Sequence, residues 1–334
     1  MRAAVTTRYG GPDAVEVRDH PEPVPAPHDL VVRVHVTTVN RTDCAYRAAH
    51  PWFMRAVTGL RAPRVRVWWT EYAGVVTRVG SEVTAFAAGD VVFGYAEGRF
   101  GAHAELVAVA DDSMVATVPP GVGLDAAAAA TEGGHYALSF LWRSGVRPGD
   151  RVLVHGATGA IGSATVQLLL DLGADVTATA PTEGVDVVRG LGARRVVDWR
   201  RGGIGGAVGP FDAVLDAVGR STFAQCRPLL APGGTYVSSE LGPFAQNPVL
   251  ALATPLARRR RVVFPLPVEG PQVIEHLRAR LAAGTFRPLL DRTYPLDDIA
   301  DAYRHVETGT KVGSVLVRVR PPEEDPPLSP GSGA

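Results

Sequence analysis

A glycine-rich segment, VLVHGATGAIGSATVQ, carries the strongest local signal for chemistry in this chain. Its glycines recur every three residues, at Gly156, Gly159 and Gly162, and Ala157 takes the first place of a G-x-G-x-x-G pattern. A short apolar run precedes the glycines and a run with helical spacing follows them. In that context the bare backbone of Gly159 admits a pyrophosphate, and the helix N-terminus attracts its charge. The segment predicts a dinucleotide site; a purely structural turn is the alternative.

The end of the next predicted strand bears on which dinucleotide would bind. NAD sites usually carry an acidic residue there, about 20 residues after the glycines, whereas this chain has Ala180. That favours NADP(H), although Glu183 would repel a 2′-phosphate. Arg200 and Arg201, with Trp199 stacking nearby, could supply the positive charge, or they could lie in a solvated turn. NAD(H) therefore stays an alternative.

Two kinds of pattern position these residues. Before residue 120 the chain is β-rich, with strands predicted at 30–39, 75–80 and 90–95, typical of an antiparallel or barrel-like domain. After residue 150, short apolar runs alternate with helical stretches, which predicts a doubly wound parallel sheet. The predicted strands of this second region are 151–155, 175–180, 195–199, 211–219, 233–240 and 261–266. The fold class is therefore α/β, a β-rich domain plus a doubly wound sheet.

Composition excludes several classes of protein. Lys+Arg and Asp+Glu number 34 each, which removes the electrostatic argument for nucleic acid or anionic membrane as a partner. The two cysteines, Cys44 and Cys226, form neither a disulfide framework nor a structural zinc motif. We expect no signal peptide and a cytoplasmic protein, and the Pro-rich stretch 321–334 predicts a disordered tail.

Several segments in consistent order resemble a known family. They are MRAAVTTRYGGPDAVEV, EYAGVVTRVGSEVTAFAAGDVVFG, VHGATGAIGSATVQLLLDLGADVTATA, FDAVLDAVG and LDRTYPLDDIADAYRHVETGTKVGSVLVRV. Over about residues 1–319 the chain is similar to the zinc-independent, quinone-oxidoreductase-like branch of the medium-chain dehydrogenase/reductase superfamily. The resemblance implies a GroES-like catalytic domain, residues 1–122 and 268–320, around a Rossmann domain, residues 123–267, with the active site in the cleft between them.

That resemblance implies an NADPH-dependent reductase that transfers hydride to a quinone or an activated C=C of a small aromatic or polyketide-like substrate. The alternative hypotheses are a zinc-free alcohol or aldehyde dehydrogenase and a non-redox cyclase or binding protein.

The resemblance also implies a homodimer that forms through the edge of the Rossmann sheet, and residues 247–266 are the candidate stretch for that edge. The expected cofactor contacts are Thr131, Gly156, Thr158, Gly159, Ala160, Ile161, Gly162, Thr182, Trp199, Arg200, Val218, Gly219, Ser238, Ser239 and Phe264.

The resemblance also predicts that no metal takes part. Zinc-dependent relatives carry a Cys where this chain has Asn40 and a His where it has Thr70. Glu71 alone cannot hold zinc, which needs three or four ligands. Activation of the substrate must then come from hydrogen-bond donors.

Three residues are the candidates for that catalytic role. Asn40 matches the family's Asn beside the nicotinamide. Tyr46 is a candidate proton donor, or else a packed aromatic residue. His135 is either a cofactor or substrate contact or a structural core histidine.

The candidate substrate contacts are Trp68, Trp69, Thr70 and Tyr95. The two indoles could shape the substrate pocket, or they could pack against the segment 52–64, which could itself form a lid.

Overall fold

The computed structural model describes residues 1–96, 98–257 and 259–327, apart from the side chains of residues 57, 256 and 257. The chain divides into two compact units. Unit 1 comprises Met1–Thr131, Glu269–Gly284 and the chain from Leu289 onward; unit 2 comprises Glu132–Val268 and Thr285–Pro288. Residues 123–131, expected in the Rossmann domain, thus lie in unit 1.

Unit 1 is built on a seven-stranded, largely antiparallel sheet and a separate hairpin. Its strands are Arg2–Thr6 (β1), Val15–Asp19 (β2), Asp29–Val39 (β3), Glu71–Val79 (β4), Val91–Tyr95 (β5), Leu106–Ala110 (β6), Met114–Thr117 (β7), Leu290–Pro295 (β14) and Ser314–Arg318 (β15). The sheet order is β14-β15-β3-β4-β5-β7, with β6 paired to β3, and β1 pairs with β2. Only the β14–β15 pair in this sheet is parallel.

Strand β3 is the centre of unit 1. Its β-branched run DLVVRVHVTTV suits a pleated strand that is covered by neighbours, and ten of its 11 residues are buried. Leu30, Val32 and Val34 pack with Tyr72 and Val76 of β4 in one hydrophobic cluster. Burying each such side chain contributes about 1.5–3 kcal/mol, so β3 and β4 form a stable base for the residues at their ends.

Unit 2 is a six-stranded, wholly parallel sheet. Its strands are Arg151–His155 (β8), Asp175–Ala180 (β9), Arg195–Asp198 (β10), Phe211–Asp216 (β11), Leu230–Ser238 (β12) and Arg261–Val263 (β13). Their order, β10-β9-β8-β11-β12-β13, is the doubly wound order 3-2-1-4-5-6, with the reversal between β8 and β11. The predicted α/β class, with a β-rich domain and a doubly wound sheet, is confirmed.

Helices join and cover these sheets. They are Arg41–Ala48 (α1), Arg55–Thr58 (α2), Leu124–Ala129 (α3), Thr131–Ser144 (α4), Ala160–Leu172 (α5), Val185–Gly190 (α6), Trp199–Gly202 (α7), Phe223–Cys226 (α8), Gln246–Ala253 (α9), Pro271–Ala283 (α10) and Ile299–Glu307 (α11). No helix in the described part of the chain combines the length and apolarity needed to cross a bilayer.

The disordered tail predicted over 321–334 needs correction. Residues 322–324 form a short 3-10 turn, and Asp325 accepts hydrogen bonds from Arg318 at 2.8 and 2.7 Å. Asp325 Oδ1 also lies 3.3 Å from His35 Nδ1, and the Pro-rich composition carries no information about a contact with so distant a residue. The prediction fails for residues 321–327, and residues 328–334 lie outside the described part of the chain.

Candidate active site

In the turn between β8 and α5, Gly156 has a left-handed backbone conformation and stands directly before the G-x-G-x-x-G pattern. Gly156 has φ +86°, and a Cβ there would lie 2.3 Å from Val218 Cγ1. Its N–H donates to Thr179 Oγ1 at 3.1 Å, and the N–H of Ala157 donates to the Thr179 carbonyl at 3.0 Å. Because Gly156 makes the tight turn, the first fingerprint position tolerates Ala157. Thr179 is an anchor that the sequence analysis missed.

The two remaining glycines serve different purposes. A Cβ on Gly162 would lie 2.1 Å from the Gly156 carbonyl oxygen, so this glycine lets the helix pack against the turn. Gly159 is the N-cap of α5 with φ −75° and ψ 168°, which any residue adopts. The nearest atom to a Cβ at Gly159 is 3.9 Å away. The protein itself does not require glycine at 159; the open space suits the approach of a ligand phosphate to the start of α5.

The predicted cofactor residues of unit 2 lie in α5's first turn and at the carboxyl ends of the parallel strands, the edge at which doubly wound sheets bind dinucleotides. Asp216, which the sequence analysis did not select, organises one of these ends. Its carboxylate accepts the N–H groups of Val218 at 3.1 Å, Gly219 at 2.9 Å and Ser221 at 2.9 Å. An acidic residue at the end of the otherwise largely apolar strand FDAVLD was the available signal.

The loops after β9 and β10 carry balanced charge. Arg200 Nη2 lies 2.7 Å from Glu183 Oε1, and Arg201 Nε lies 3.3 Å from Asp198 Oδ2. Thr182 donates to the same Asp198 carboxylate at 2.7 Å, and the Arg200 guanidinium lies over the Trp199 ring. Each arginine that was proposed to attract a 2′-phosphate is thus already paired with a carboxylate of the protein.

In unit 1, a buried carboxylate gathers side-chain donors from distant parts of the sequence. Glu71, the first residue of β4, is 1% exposed. Its Oε2 accepts from Thr38 Oγ1, from Asn40 Nδ2 at 2.6 Å and from Trp69 Nε1 at 3.3 Å. Its Oε1 accepts from Thr131 Oγ1 at 2.7 Å. We call Glu71 with these four residues the Glu71 cluster.

This cluster bears on two predicted site residues. Asn40 is the N-cap of α1, where its backbone N–H donates to Asp43 Oδ2 at 2.6 Å. The amide nitrogen of Asn40 donates to both Glu71 and Thr38, the latter at 3.1 Å, so its two hydrogens point into the protein. The hydroxyl of Thr131 is likewise engaged with Glu71. The predicted substrate and cofactor contacts of these residues remain predictions.

Tyr46 belongs to an aromatic cluster of unit 1. Its ring centroid lies 5.7 Å from that of Trp68 and 5.6 Å from that of Phe100, and Trp68 and Phe100 meet edge to face at 5.2 Å. Burial first, and the Glu269 carboxylate second, raises the pKa of the Tyr46 phenol above its ordinary value. The half-buried phenol is therefore protonated at neutral pH. Trp68 packs on the rings of Tyr46 and Phe100. This supports the alternative in which Trp68 belongs to an aromatic cluster, but its partners there are these two rings and not residues 52–64.

Trp69 and Thr70 precede β4 in an unusual conformation. Trp69 has φ +76°, a left-handed value that costs a non-glycine residue about 1–3 kcal/mol. The Ala102 N–H donates to its carbonyl at 2.9 Å, and the Ala96 N–H donates to the Thr70 carbonyl at 2.7 Å. Thr70 is 3% exposed, and its hydroxyl has no hydrogen-bond partner among the described residues. Tyr95, at the end of β5, pairs in register with Glu71.

His135 lies inside unit 2 on α4. Its side chain is buried, and burial lowers the pKa of the imidazole to about 4, partly offset by a hydrogen bond involving the Val268 backbone. The ring is therefore neutral near pH 7. As a neutral ring it can accept or donate a hydrogen bond, but it cannot serve as an imidazolium acid there.

The donor set does not favour a metal. Among residues 1–96, 98–257 and 259–327, no group of three or more His, Cys, Asp or Glu side chains could hold an ion. Asn40 and Thr70, which by the family resemblance take the places of two zinc ligands, offer an amide and a hydroxyl, and these are poor ligands for zinc.

Comparison with known proteins identifies the family. Residues 26–120 match the family described as "Alcohol dehydrogenase GroES-like domain" and residues 191–317 match "Zinc-binding dehydrogenase". A quinone oxidoreductase of Pseudomonas aeruginosa is 31% identical over 240 residues, 69% of this chain and 70% of the relative. The 2-methylene-furan-3-one reductase of Solanum lycopersicum is 27% identical over 336 residues, 96% of this chain and 80% of the relative.

Polyketide synthases are also among the relatives. The spectinabilin polyketide synthase system protein NorB of Streptomyces orinoci is 36% identical over 276 residues, 77% of this chain. The chain spans only 12% of the length of NorB, and 7% of the pikromycin polyketide synthase component PikAII of Streptomyces venezuelae.

Solved structures agree on the fold. The quinone oxidoreductase from Coxiella burnetii has a TM-score of 0.85 at 23% identity, covering 96% of this chain and 99% of that one. A mycobacterial protein complexed with NADPH has a TM-score of 0.78 at 26% identity, covering 95% of this chain and 100% of that one. The chain belongs to the quinone-oxidoreductase-like branch of the medium-chain dehydrogenase/reductase superfamily, which confirms the family inferred from sequence.

Proposed function

We propose that this protein is an NADPH-dependent, metal-free reductase that transfers hydride to a quinone or to the activated C=C of an enone or enoyl group. The observation that carries the proposal is Gly159, whose open position at the start of α5 has no purpose within the protein and suits a pyrophosphate. The relatives named for quinone and enone reduction, and the neighbour complexed with NADPH, support the same chemistry.

The residues of unit 2 fit the dinucleotide. The backbone N–H groups of Ala160, Ile161 and Gly162 lie in the first turn of α5, where the helix offers them no carbonyl acceptor. They would therefore face the phosphates. The loop held by Asp216 would border the nucleotide at the neighbouring strand end. When bound, the reduced nicotinamide supplies the hydride, two electrons with one hydrogen nucleus.

The residues of unit 1 would handle charge and protons. As the β-carbon of an enone gains hydride, the π electrons of the C=C move toward the carbonyl, and a proton must then be added. We propose Tyr46 as the group that holds this proton, because its phenol is protonated and half-buried. Asn40, with its amide committed to Glu71, would act as a positioning residue that orients α1 and hence Tyr46.

The polyketide synthase relatives point to a substrate class. Their similarity to this chain supports an enoyl or enone group on a polyketide-like chain as the acceptor. We propose a small molecule as the partner, and neither nucleic acid nor membrane, because the formal net charge is +0. We also propose the cytoplasm as its compartment, where the free thiols Cys44 and Cys226 would stay reduced.

One assay tests the proposal. The purified protein is titrated separately with NADPH and NADH, and nucleotide oxidation is then followed with 1,4-naphthoquinone, an aliphatic enone and a thioester enone. We expect tighter binding of NADPH and its oxidation by at least one acceptor, with equimolar reduced product and no change on adding a chelator. Binding of neither nucleotide, or binding without oxidation by any acceptor, would refute the redox assignment.

A further inference from the structure

Thr70 carries a buried hydroxyl for which the fold provides no use. The residue directly precedes β4, and its backbone is fixed by the 2.7 Å hydrogen bond from Ala96. The side chain is 3% exposed, and Oγ1 has no partner among the described residues. An unpaired buried hydroxyl destabilises a protein, and Val would fill the same volume without that cost.

The side-chain donors of the Glu71 cluster are already engaged. Thr38, Asn40, Trp69 and Thr131 all donate to the carboxylate of Glu71. Donors that satisfy a protein carboxylate are not free to stabilise charge on a substrate. Four donors also disperse the charge of Glu71, so that the carboxylate opposes a second negative centre less strongly. The hydroxyl of Thr70 remains uncommitted.

We propose that Thr70 is a catalytic residue whose hydroxyl donates a hydrogen bond to the substrate's carbonyl oxygen. This inference rests on the proposed function. As hydride reaches the conjugated carbon, the π electrons shift and negative charge accumulates on that oxygen. The Thr70 proton stays on Oγ1, and its hydrogen bond strengthens as the charge grows, which lowers the barrier. The proton that completes the product comes from Tyr46 or water.

Two other unpaired donors lie close to Thr70 along the chain, Trp68 Nε1 and Tyr72 Oη, and both are weaker candidates. Tyr72 is fully buried in the hydrophobic cluster of β3 and β4. The Trp68 ring is packed on Tyr46 and Phe100, at 5.7 and 5.2 Å between centroids. The indole of Trp68 contributes to packing as well as offering a hydrogen-bond donor, so its replacement would change packing and chemistry together. Thr70 can lose its hydroxyl with almost no change of shape, which makes its role separable.

Three variants separate catalysis from structure. Thr70→Val removes the hydroxyl, Thr70→Ser keeps it, and Thr6→Val removes another buried, unpartnered hydroxyl of unit 1 as the matched control. Each protein is assayed with NADPH and either 1,4-naphthoquinone or trans-3-nonen-2-one for kcat and KM, and its thermal midpoint is measured without ligands.

We expect Thr70→Val to lower kcat by about 10²-fold while its thermal midpoint stays equal or rises, because one oxyanion donor is lost and an unpaired polar group is removed. Thr70→Ser should retain kcat within about threefold, since it keeps the donor that the transition state requires. Thr6→Val should match the midpoint shift with unchanged kcat.

Two results would overturn the inference: an unchanged kcat in Thr70→Val, or a fall in kcat that is matched by a lower midpoint and not rescued by Ser. A wild-type protein that oxidises NADPH with neither acceptor would instead count against the proposed function, so the two failures are distinguishable.

Discussion

Tyr46 and Gly159 are the residues at which the proposed chemistry can be tested most directly. The ring of Tyr46 is held by its packing against Trp68 and Phe100, which does not involve the phenol oxygen. A methyl group placed on Gly159 would lie 3.9 Å from the nearest protein atom, so it would clash with nothing in the fold. In both cases the surroundings tolerate a substitution, so an effect on activity would report function and not folding.

Tyr46→Phe should lower kcat by about 10²-fold or more with little change in stability, because the proton donor is lost and the ring packing is kept. Since burial raises the pKa of Tyr46 above its ordinary value of about 10, the wild-type donor stays protonated there. Turnover should therefore show no alkaline decline caused by Tyr46 below that pH. Tyr294→Phe, at another half-buried tyrosine of unit 1, is the control. Equal turnover in Tyr46→Phe would assign the proton to water.

Gly159→Val should weaken NADPH binding by at least about tenfold, because the side chain would occupy the space that the pyrophosphate needs. Gly123→Val is a matched control: Gly123 is also a helix N-cap, with φ −71° and ψ 154°, and has no atom within 4 Å of a Cβ. Titration calorimetry with NADPH and thermal unfolding of both variants are the measurements. Tight binding by Gly159→Val would remove the observation on which the proposed function depends.

At the scale of elements, the loops after β9 and β10 carry the residues that we propose to distinguish NADPH from NADH. Their arginines are paired internally, Arg200 with Glu183 and Arg201 with Asp198. A 2′-phosphate would have to compete with Glu183 for Arg200. The absence of an acidic residue at Ala180 thus favours NADPH less strongly than the sequence alone indicates.

Glu183→Gln should raise NADPH affinity about two- to fivefold and leave NADH affinity unchanged, because the exposed ion pair that restrains Arg200 is worth at most about 1 kcal/mol. Arg200→Ala should lower NADPH affinity about tenfold and spare NADH, since a charge-assisted hydrogen bond to phosphate is lost. The control is Arg189→Ala, an exposed arginine paired with Asp186 on α6. Equal changes for both nucleotides would place the 2′-phosphate elsewhere.

At the scale of the whole molecule, one edge of the unit 2 sheet lies beside exposed apolar side chains. Strand β13 ends the sheet order, and α9 packs beside it with Val249 65% and Leu252 82% exposed. Exposed apolar side chains next to an unpaired strand favour association. The predicted dimer through 247–266 therefore stays a proposal, and Arg258 in that stretch lies outside the described residues.

We expect the wild-type protein to be a dimer at micromolar concentration and Val249→Asp/Leu252→Asp to be a monomer, because two buried charges would be unpaired at the interface. Light scattering after size exclusion measures the mass. The control carries the same change at exposed valines elsewhere, Val24→Asp/Val208→Asp. A monomeric wild-type protein, or a control that dissociates equally, would contradict the proposal.

Sequence patterns determined the elements of unit 2 and its glycine turn because these signals are local. The strand predicted at 151–155 and the one at 175–180 match β8 and β9 residue for residue, and the run with helical spacing after the glycines forms α5. A continuous apolar run marks a parallel strand covered on both faces, and glycines mark a turn, without reference to distant residues.

Only the tertiary structure decided which hydrogen-bond donors are engaged by other protein atoms and which have no partner among the described residues. Glu71 receives hydrogen bonds from Thr38 and Thr131, residues 33 and 60 positions away, and nothing in the local sequence indicates either contact. The same holds for the Glu183–Arg200 pair. Hydrogen bonds and ion pairs between side chains depend on where the backbone brings distant atoms. The sequence could therefore identify Asn40 and Thr70 as candidates. Only the fold showed that the side chain of Asn40 is hydrogen-bonded and that the hydroxyl of Thr70 has no partner among the described residues.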